Sequence, residues 1–324
     1  MVKAIRIHQP GGPEVMRLEE IELAAPGPGQ VQIRQHAVGV NFIDIYFRNG
    51  AYPAPSLPFT PGNEGAGEVI AVGPDISKFK PGDRVAYAGS LGGYAEARNI
   101  EAKFLIHLPD SISYETGAAM MLKGLTADYL LHRTYAVKPG DIVLVHAAAG
   151  GVGLILCQWA RLLGATVIGT AGSEAKAQLA REAGAHEVIL YRDEDFVARV
   201  KEITGGKLCH VVYDGVGKAT FPGSLDCLRP LGLFASFGAS SGAVEAFNLG
   251  LLAQKGSLYA TRPTLFTHIS DEAVLDEMAA RLTDVVGSGK VKIAVHSRLP
   301  LADAGKAHEA LEARETTGAT VLIP

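Results

Sequence analysis

Cysteine is scarce in this chain: three occur in 324 residues, Cys157, Cys209 and Cys227, none close to another. That spacing excludes a disulfide framework and a cysteine zinc cluster, and leaves Cys157 as a small buried hydrophobe rather than a reactive thiol. Long apolar runs are missing too, and nothing approaches the ~20 residues a membrane helix requires. Positive charge is not in excess, with 30 Lys and Arg against 34 Asp and Glu and a net charge of −4. No long Lys/Arg run occurs, which argues against nucleic acid or an anionic membrane as a primary partner and toward small molecules. The start, Met1-Val-Lys-Ala-Ile-Arg-Ile, reads as a strand and not an export signal, so the cytoplasm is the expected compartment.

What is present is ample core material, 48% hydrophobic against 20% charged residues. The length suits two domains of about 150 residues. Val143-Leu-Val-His-Ala-Ala-Ala-Gly-Gly-Val-Gly153 runs an apolar strand into a glycine-rich turn and then a helical pattern, Gly151 to Leu163. Ala148-x-Gly150-x-x-Gly153 is the dinucleotide-binding spacing with alanine in its first slot. Gly150 lets backbone approach a pyrophosphate, Gly153 lets helix and strand pack closely, and the helix N-terminus offers unpaired N–H groups.

Downstream, the β-rich runs Thr166 to Thr170, Glu187 to Tyr191, Val211 to Asp214 and Leu233 to Phe237 alternate with helical patterns at Glu174 to Ala183 and Asp195 to Ile203. That alternation predicts a doubly wound parallel sheet, an α/β fold, with a crevice formed by 169–176, Tyr191, 214–217 and 238–242. His146, inside the first strand of the cofactor domain, reads as a packed, hydrogen-bonded ring. Upstream, short strands at Val31 to Val38, Gly67 to Gly73 and Asp83 to Tyr87 with Gly- and Pro-rich turns predict a β-rich domain, and 39–48 a short helix or loop. Tyr114 to Tyr135 reads as helix broken near Gly124. Gly256 to Arg262 offers one more strand and Asp271 to Ser288 a helix. Ala319 to Ile323 is a final strand that needs a sheet to join, so the tail is expected to return to the N-terminal domain and make it discontinuous.

Gly11-Gly-Pro-Glu-Val15, Asn41-Phe-Ile-Asp44, Pro61-Gly-Asn-Glu-Gly-Ala-Gly67, Pro81-Gly-Asp-Arg-Val85, Leu122-Lys-Gly-Leu-Thr126, Val212-Tyr-Asp-Gly-Val-Gly217 and Thr261-Arg-Pro263, in this order around the glycine turn, are specific together. Over essentially its whole length the chain resembles the zinc-free, zeta-crystallin-like NADPH:quinone oxidoreductases of the medium-chain dehydrogenase/reductase superfamily. The resemblance implies a GroES-like β-rich catalytic domain, 1–125 and 266–324, interrupted by a doubly wound parallel Rossmann domain, 126–265. It implies catalytic residues Asn41, Tyr46 and Tyr52. Cofactor contacts are implied at Phe42, Ile43, Asp44, Lys123, Thr126 and Tyr129, and around the turn at Ala149, Gly150, Gly151 and Val152. Further contacts are implied at Gly172, Ser173, Lys176, Tyr191, Val216 and Gly217, then at Phe237, Gly238, Ser240, Arg262 and Arg314. A homodimer, often through the outer strand near Gly256 to Arg262, is also implied.

Zinc enzymes of the superfamily carry Cys where this chain has Asn41 or a neighbour, and Gly-His-Glu where it reads Gly62-Asn63-Glu64. With both ligand positions lost, no metal is expected. NAD-specific sites place an acid ~20 residues past the glycine turn. Here Gly169 to Ser173 has none, which leaves room for a 2′-phosphate and points to NADPH. Without metal or an evident acid–base pair, hydride transfer to an electron-poor quinone suits the site better than ketone reduction. Tyr46 and Tyr52 could hydrogen-bond a quinone oxygen, stack on its ring, or simply pack. The competing readings are an NADPH-dependent enone or alkenal reductase and a non-catalytic NADPH-binding sensor or structural protein.

Overall fold

In the computed structural model, which describes residues 1–324, the apolar run before the glycine turn is the strand Ile142–Val145, buried from Val143 onward. It sits inside a six-stranded sheet ordered Glu187–Leu190, Thr166–Ala171, Ile142–Val145, Cys209–Asp214, Leu228–Ser236, Tyr259–Thr261. Every neighbouring pair is parallel. Counted along the chain the order is 3-2-1-4-5-6, the doubly wound arrangement, in which ligands bind beyond the carboxyl ends of the strands where the order reverses. That reversal falls between Ile142–Val145 and Cys209–Asp214, so the turns after Val145 and Asp214 flank one crevice. Leu144, Ile168, Ile189, Val212 and Phe234 are buried in one cluster, as expected of strands covered on both faces.

The helices of this sheet start where side chains can cap them. Ser173 caps Glu174–Glu182 and Asp195 caps Phe196–Ile203, each accepting a first-turn N–H; such caps contribute about 1 kcal/mol. The helix Gly151–Leu162, by contrast, begins at Gly150 with no side-chain cap, leaving its first N–H groups for another acceptor.

The second sheet is seven-stranded, ordered Val295–Pro300, Ala319–Ile323, Gln30–Gly39, Glu64–Val72, Arg84–Ala88, Leu105–His107, with Ala97–Glu101 also on Gln30–Gly39. The terminal strand therefore pairs antiparallel with Gln30–Gly39, and the tail does return to the N-terminal β-structure. Val2–Ile7 is a strand, paired with Met16–Ile21. Val295–Pro300 and the helix Ala304–Glu312 give no pattern that the sequence reading singled out. The chain divides into one unit of Met1–Leu125, His268–Ser288 and Ile293–Pro324 and another of Thr126–Thr267 and Gly289–Lys292. The short segment Gly289–Lys292 joins the second unit because the Gln158 side chain grips the Lys292 N–H (2.7 Å) and C=O (3.0 Å).

Two local expectations are corrected. The helix Tyr114–Tyr129 runs unbroken through Gly124. A Cβ there would come 2.5 Å from Leu282 Cδ1, so the glycine serves close packing against the helix Glu272–Gly287, whose buried Leu275, Met278, Ala279 and Leu282 form one stripe. The irregularity lies instead at Leu130–Thr134, a π-helical turn. There the Tyr213 hydroxyl donates to the Leu130 carbonyl (3.1 Å), which is also bonded by the N–H of Tyr135. The outer strand, read from Gly256, is only Tyr259–Thr261, because Gly256 (φ 109°) and Ser257 (φ 55°) are left-handed and cannot continue a strand.

Candidate active site

In the nucleotide-binding unit the glycine turn is shaped by backbone approach. A Cβ on Gly153 would lie 2.3 Å from the Ala147 carbonyl oxygen and 2.8 Å from Ala148. At Gly150 a Cβ would meet only the Ala147 carbonyl, at 3.1 Å, so this glycine faces open space, and the uncapped N–H groups of Gly151 and Val152 follow it. Ala149 is buried beside them. A pyrophosphate fits such a cradle: unpaired donors, the positive end of a helix, and no side chain in the way.

At the end of the neighbouring strand, Gly172 occupies the place where an acid would select NAD. A Cβ there would be 2.7 Å from the Tyr191 hydroxyl and 3.5 Å from Arg192 Nε. Gly172 and Tyr191 are thus brought together, beside Ser173, whose hydroxyl accepts the Lys176 N–H (3.4 Å), with Tyr191 45% exposed. Arg192, which the sequence reading passed over, adds a cation; its signal was its position directly after the third strand of the sheet.

Two further loops are zipped to each other. Ser240 N–H bonds Gly215 O (3.2 Å), Ser241 N–H bonds Val216 O (2.9 Å) and Lys218 N–H bonds Gly242 O (3.0 Å). Gly217 (φ 87°) admits no side chain, since a Cβ would lie 2.5 Å from Gly242 O, and one on Gly238 would lie 2.5 Å from Gly215 O. The Phe237 ring covers Gly215 at 3.0 Å from that residue's Cβ position. Val216, Gly217, Phe237, Gly238 and Ser240 therefore form one platform. Tyr129 is buried, and burial pushes its hydroxyl well up, the Arg262 charge opposing; Thr126 is buried as well.

In the other unit, Asn41 caps the helix Phe42–Arg48 and forms a capping box with Asp44. Its side-chain amide donates to Glu64 Oε1 (2.8 Å), which also pairs with Lys123 Nζ (2.6 Å), while Glu64 Oε2 accepts the Leu122 N–H (2.7 Å). Glu64 is the buried hub here, a role that its place in the Gly62-Asn63-Glu64 run does not disclose. Phe42, Tyr46, Tyr52 and Phe47 make a run of ring contacts at 5.3–6.5 Å, with Tyr52 38% exposed. Ile43 lies half-buried in the same helix. Arg314, just past the helix Ala304–Glu312, is left-handed (φ 57°) and belongs to this unit.

The zinc question turns on donors. Asn41 spends its amide N–H on Glu64, Asn63 donates to Asp44 Oδ1 (2.8 Å) and the Lys123 ammonium already neutralises Glu64. A divalent ion needs lone pairs at these positions and finds N–H donors and a cation, so these residues do not fit one. No group of three or more His, Cys, Asp or Glu is disposed to hold a metal ion.

Asp44 Oδ2 accepts from Asn41 N–H (2.9 Å) and the Tyr94 hydroxyl (3.2 Å), which in turn meets His308 Nε2 (3.0 Å). Burial, aided by the charge of Glu64, pushes Asp44 from 3.8 up to about 7. Burial and Arg48 push His308 from 6.5 down to about 3. The raised acid favours folding below its unfolded value and withdraws that contribution as pH rises to about 7; the lowered base adds stability as pH climbs from about 3 to 6.5. The two slopes oppose. Asp44→Asn should therefore leave a chain whose stability climbs up to about pH 6.5, and His308→Gln one whose stability falls until about pH 7, both read as denaturant midpoints across this range.

A β-rich unit joined to a 3-2-1-4-5-6 sheet with this glycine turn defines a dehydrogenase of the medium-chain class. Residues 27–110 match the alcohol dehydrogenase GroES-like domain, and 151–279 match the family described as zinc-binding dehydrogenase. The chain is 52% identical over 325 residues to a quinone oxidoreductase of Pseudomonas aeruginosa, covering 100% of both. It is 45% identical to a 2-haloacrylate reductase of a Burkholderia species, covering 100% of this chain and 99% of that one. The crystal structure of an Escherichia coli quinone oxidoreductase complexed with NADPH superposes with a TM-score of 0.97 at 52% identity, covering 99% of this chain and 100% of that one. The chain belongs to the quinone oxidoreductase family of the medium-chain dehydrogenase/reductase superfamily. No helix is long and apolar enough to cross a membrane.

Proposed function

We infer that this protein is an NADPH-dependent, metal-independent quinone reductase. The observation that carries the reading is the acid-free corner at Gly172, walled by Tyr191 and Arg192, beside an uncapped helix behind a glycine turn. Bound NADPH supplies the hydride, and a quinone is electron-poor enough to accept it without a Lewis acid. The residues bind and orient. Gly150, Gly151 and Val152 receive the pyrophosphate, and Ser173, Lys176 and Tyr191 the 2′-phosphate. The Val216–Gly217 and Phe237–Ser240 platform, with Thr126, Tyr129 and Arg262, supports the nucleotide in the unit that carries it. Asn41, Tyr46 and Tyr52, with Phe42, Ile43, Asp44 and Lys123, are assigned to the acceptor and nicotinamide. The GroES-like domain is assigned to 1–125 and 266–324 and the cofactor domain to 126–265.

The direct test is steady-state turnover of NADPH and NADH against 1,4-benzoquinone and an alkenal. NADPH with the quinone should give the highest kcat/KM; absence of quinone-dependent NADPH oxidation would sink the reading. The 2-haloacrylate reductase relative favours activated C=C bonds as the second reading, and dominance of the alkenal would select it. Lys176→Ala should raise KM for NADPH by about tenfold, the size of one lost charged contact, with little change for NADH; equal changes would remove Lys176 from the phosphate site.

For the tyrosines, the Tyr52 N–H holds the Tyr46 carbonyl (2.9 Å), so the rings stay placed when a hydroxyl is removed. Tyr46→Phe and Tyr52→Phe should each lower kcat/KM for the quinone by about fivefold, one neutral hydrogen bond. Unchanged kcat in both would show that neither hydroxyl is a needed acid. The edge strand Tyr259–Thr261, with Tyr259 61% exposed, offers unpaired backbone for a homodimer, which light scattering checks. A cytoplasmic location agrees with three free, buried cysteines.

A further inference from the structure

Behind the cofactor turns lies a chain of buried side chains that the reading above leaves without a role. His146 Nδ1 meets Thr170 Oγ1 (3.0 Å) and its Nε2 meets Ser224 Oγ (3.1 Å). Ser224 Oγ donates to Asp214 Oδ2 (2.9 Å), as does Thr220 Oγ1 (2.7 Å). Asp214 Oδ1 accepts the N–H groups of Val216 (2.8 Å) and Gly217 (2.9 Å). Thr170, His146, Ser224 and Asp214 are all buried, and the Phe196 ring stands edge-on to His146 at 5.1 Å.

The hydroxyl proton count fixes one direction through this chain. Ser224 has a single proton and two acceptors beside it, Asp214 Oδ2 (2.9 Å) and the Thr220 carbonyl (3.2 Å); the nearer, charged carboxylate takes it, and Ser224 accepts from His146 Nε2–H. His146 Nδ1 is then an acceptor, and Thr170 donates to it. Burial lowers the proton affinity of the ring, the charge of Asp214 opposing, which agrees with a neutral imidazole in one tautomer. The order is not that of a hydrolytic triad: the serine sits between histidine and aspartate, and no member reaches solvent.

We propose that His146 is a positioning residue that joins the 2′-phosphate corner of the NADPH site to the Val216–Gly217 platform, each arm setting one part of cofactor recognition. One arm ends at Thr170, two residues before Gly172, where Thr170 O also holds the Ala148 N–H of the glycine turn (3.0 Å). The other arm ends on the carboxylate that holds the Val216–Gly217 backbone. His146 immediately precedes the left-handed Ala147 (φ 52°) that opens the turn, so a single ring registers three cofactor-facing segments. The inference rests on NADPH occupying this crevice.

The arms predict different losses. Thr170→Val, nearly isosteric, should raise Kd for NADPH by about fivefold and leave Kd for NADH within about twofold, since it frees only the phosphate corner. Ser224→Ala should weaken both nucleotides alike by about fivefold, because it frees the platform. His146→Leu should combine the two effects, and His146→Gln, which keeps one donor and one acceptor, should restore most of the affinity. In the His146→Leu background Thr170→Val should add nothing. The measurements are fluorescence titrations with NADPH and NADH, with melting temperatures taken alongside to show that each variant is folded. A general loosening would change both nucleotides equally in every variant and would overturn the proposal, as would Gln behaving like Leu. Wild-type protein that fails to bind NADPH overturns the functional reading as well; wild type that binds, with all variants within about twofold of it, overturns this inference alone.

Discussion

Gly153→Val should abolish NADPH-dependent turnover, lowering kcat/KM by at least about a hundredfold, because its Cβ has nowhere to go. At 2.3 Å from the Ala147 carbonyl oxygen and 2.8 Å from the Ala148 backbone, it would meet main chain that cannot rotate aside. The helix Gly151–Leu162 would have to lift from the sheet, carrying its N-terminal donors away from the pyrophosphate. Gly150→Ala is the informative contrast. Its Cβ meets only one carbonyl oxygen at 3.1 Å, so the fold should hold while the methyl intrudes on the space assigned to the phosphates. The expectation is a near-native melting temperature with Kd for NADPH raised by about tenfold, one lost charged contact. Calorimetry and nucleotide titration check both, and a Gly153→Val protein with native NADPH affinity would contradict the assignment of the turn.

Glu64→Ala should be the most destabilising single change in the N-terminal β-rich unit, by about 3–5 kcal/mol, the cost of leaving one member of a buried ion pair unpaired. Glu64 has no exposed surface, and its removal takes the acceptor from the Asn41 amide and the Leu122 N–H and leaves the Lys123 ammonium only the Val40 carbonyl at 3.3 Å. Gly39 marks how tightly the carboxylate is enclosed: a Cβ there would lie 2.2 Å from Glu64 Oε1. Replacing the pair together, Glu64→Leu with Lys123→Met, should recover much of the stability, since apolar substitution of a whole buried pair is often neutral. Activity should not return with it, because Asn41 then loses the acceptor that orients its amide. Denaturant unfolding and quinone turnover on the single and double variants separate the two effects. A single variant within about 1 kcal/mol of wild type would show the pair to be hydrated in solution.

The features legible beforehand share a local cause. Strand and helix periods and the glycine spacing each depend on residues a few positions apart. The NADPH preference was readable for the same reason, since it follows from which side chains are missing at one strand end. Gly124 was misread because a glycine within a helical pattern looks like a break, and only the presence of Leu282, far along the chain, shows that it serves packing. Val295–Pro300 alternates half-buried and exposed, but with the polar Ser297 among its inward positions and no residue fully buried, it shows no apolar alternation in the sequence. Glu64 and the chain behind His146 were not legible as sites, since each acquires meaning from partners tens of residues distant.

The sequence by itself determined the doubly wound sheet, the nucleotide turn, the return of the tail to the N-terminal β-structure and the loss of the zinc ligand types. The strands, the turn and the ligand types are written in spacing and residue type, which the backbone reads locally, and the tail's return follows because a terminal strand needs a sheet to join. Only the tertiary structure decided how buried polar groups are satisfied: Glu64 as the shared acceptor for Asn41 and Lys123, Asp44 raised by burial, and one directed hydrogen-bond chain from Thr170 through His146 to Asp214. A buried donor must find its acceptor wherever the fold brings one, and that choice is made in three dimensions.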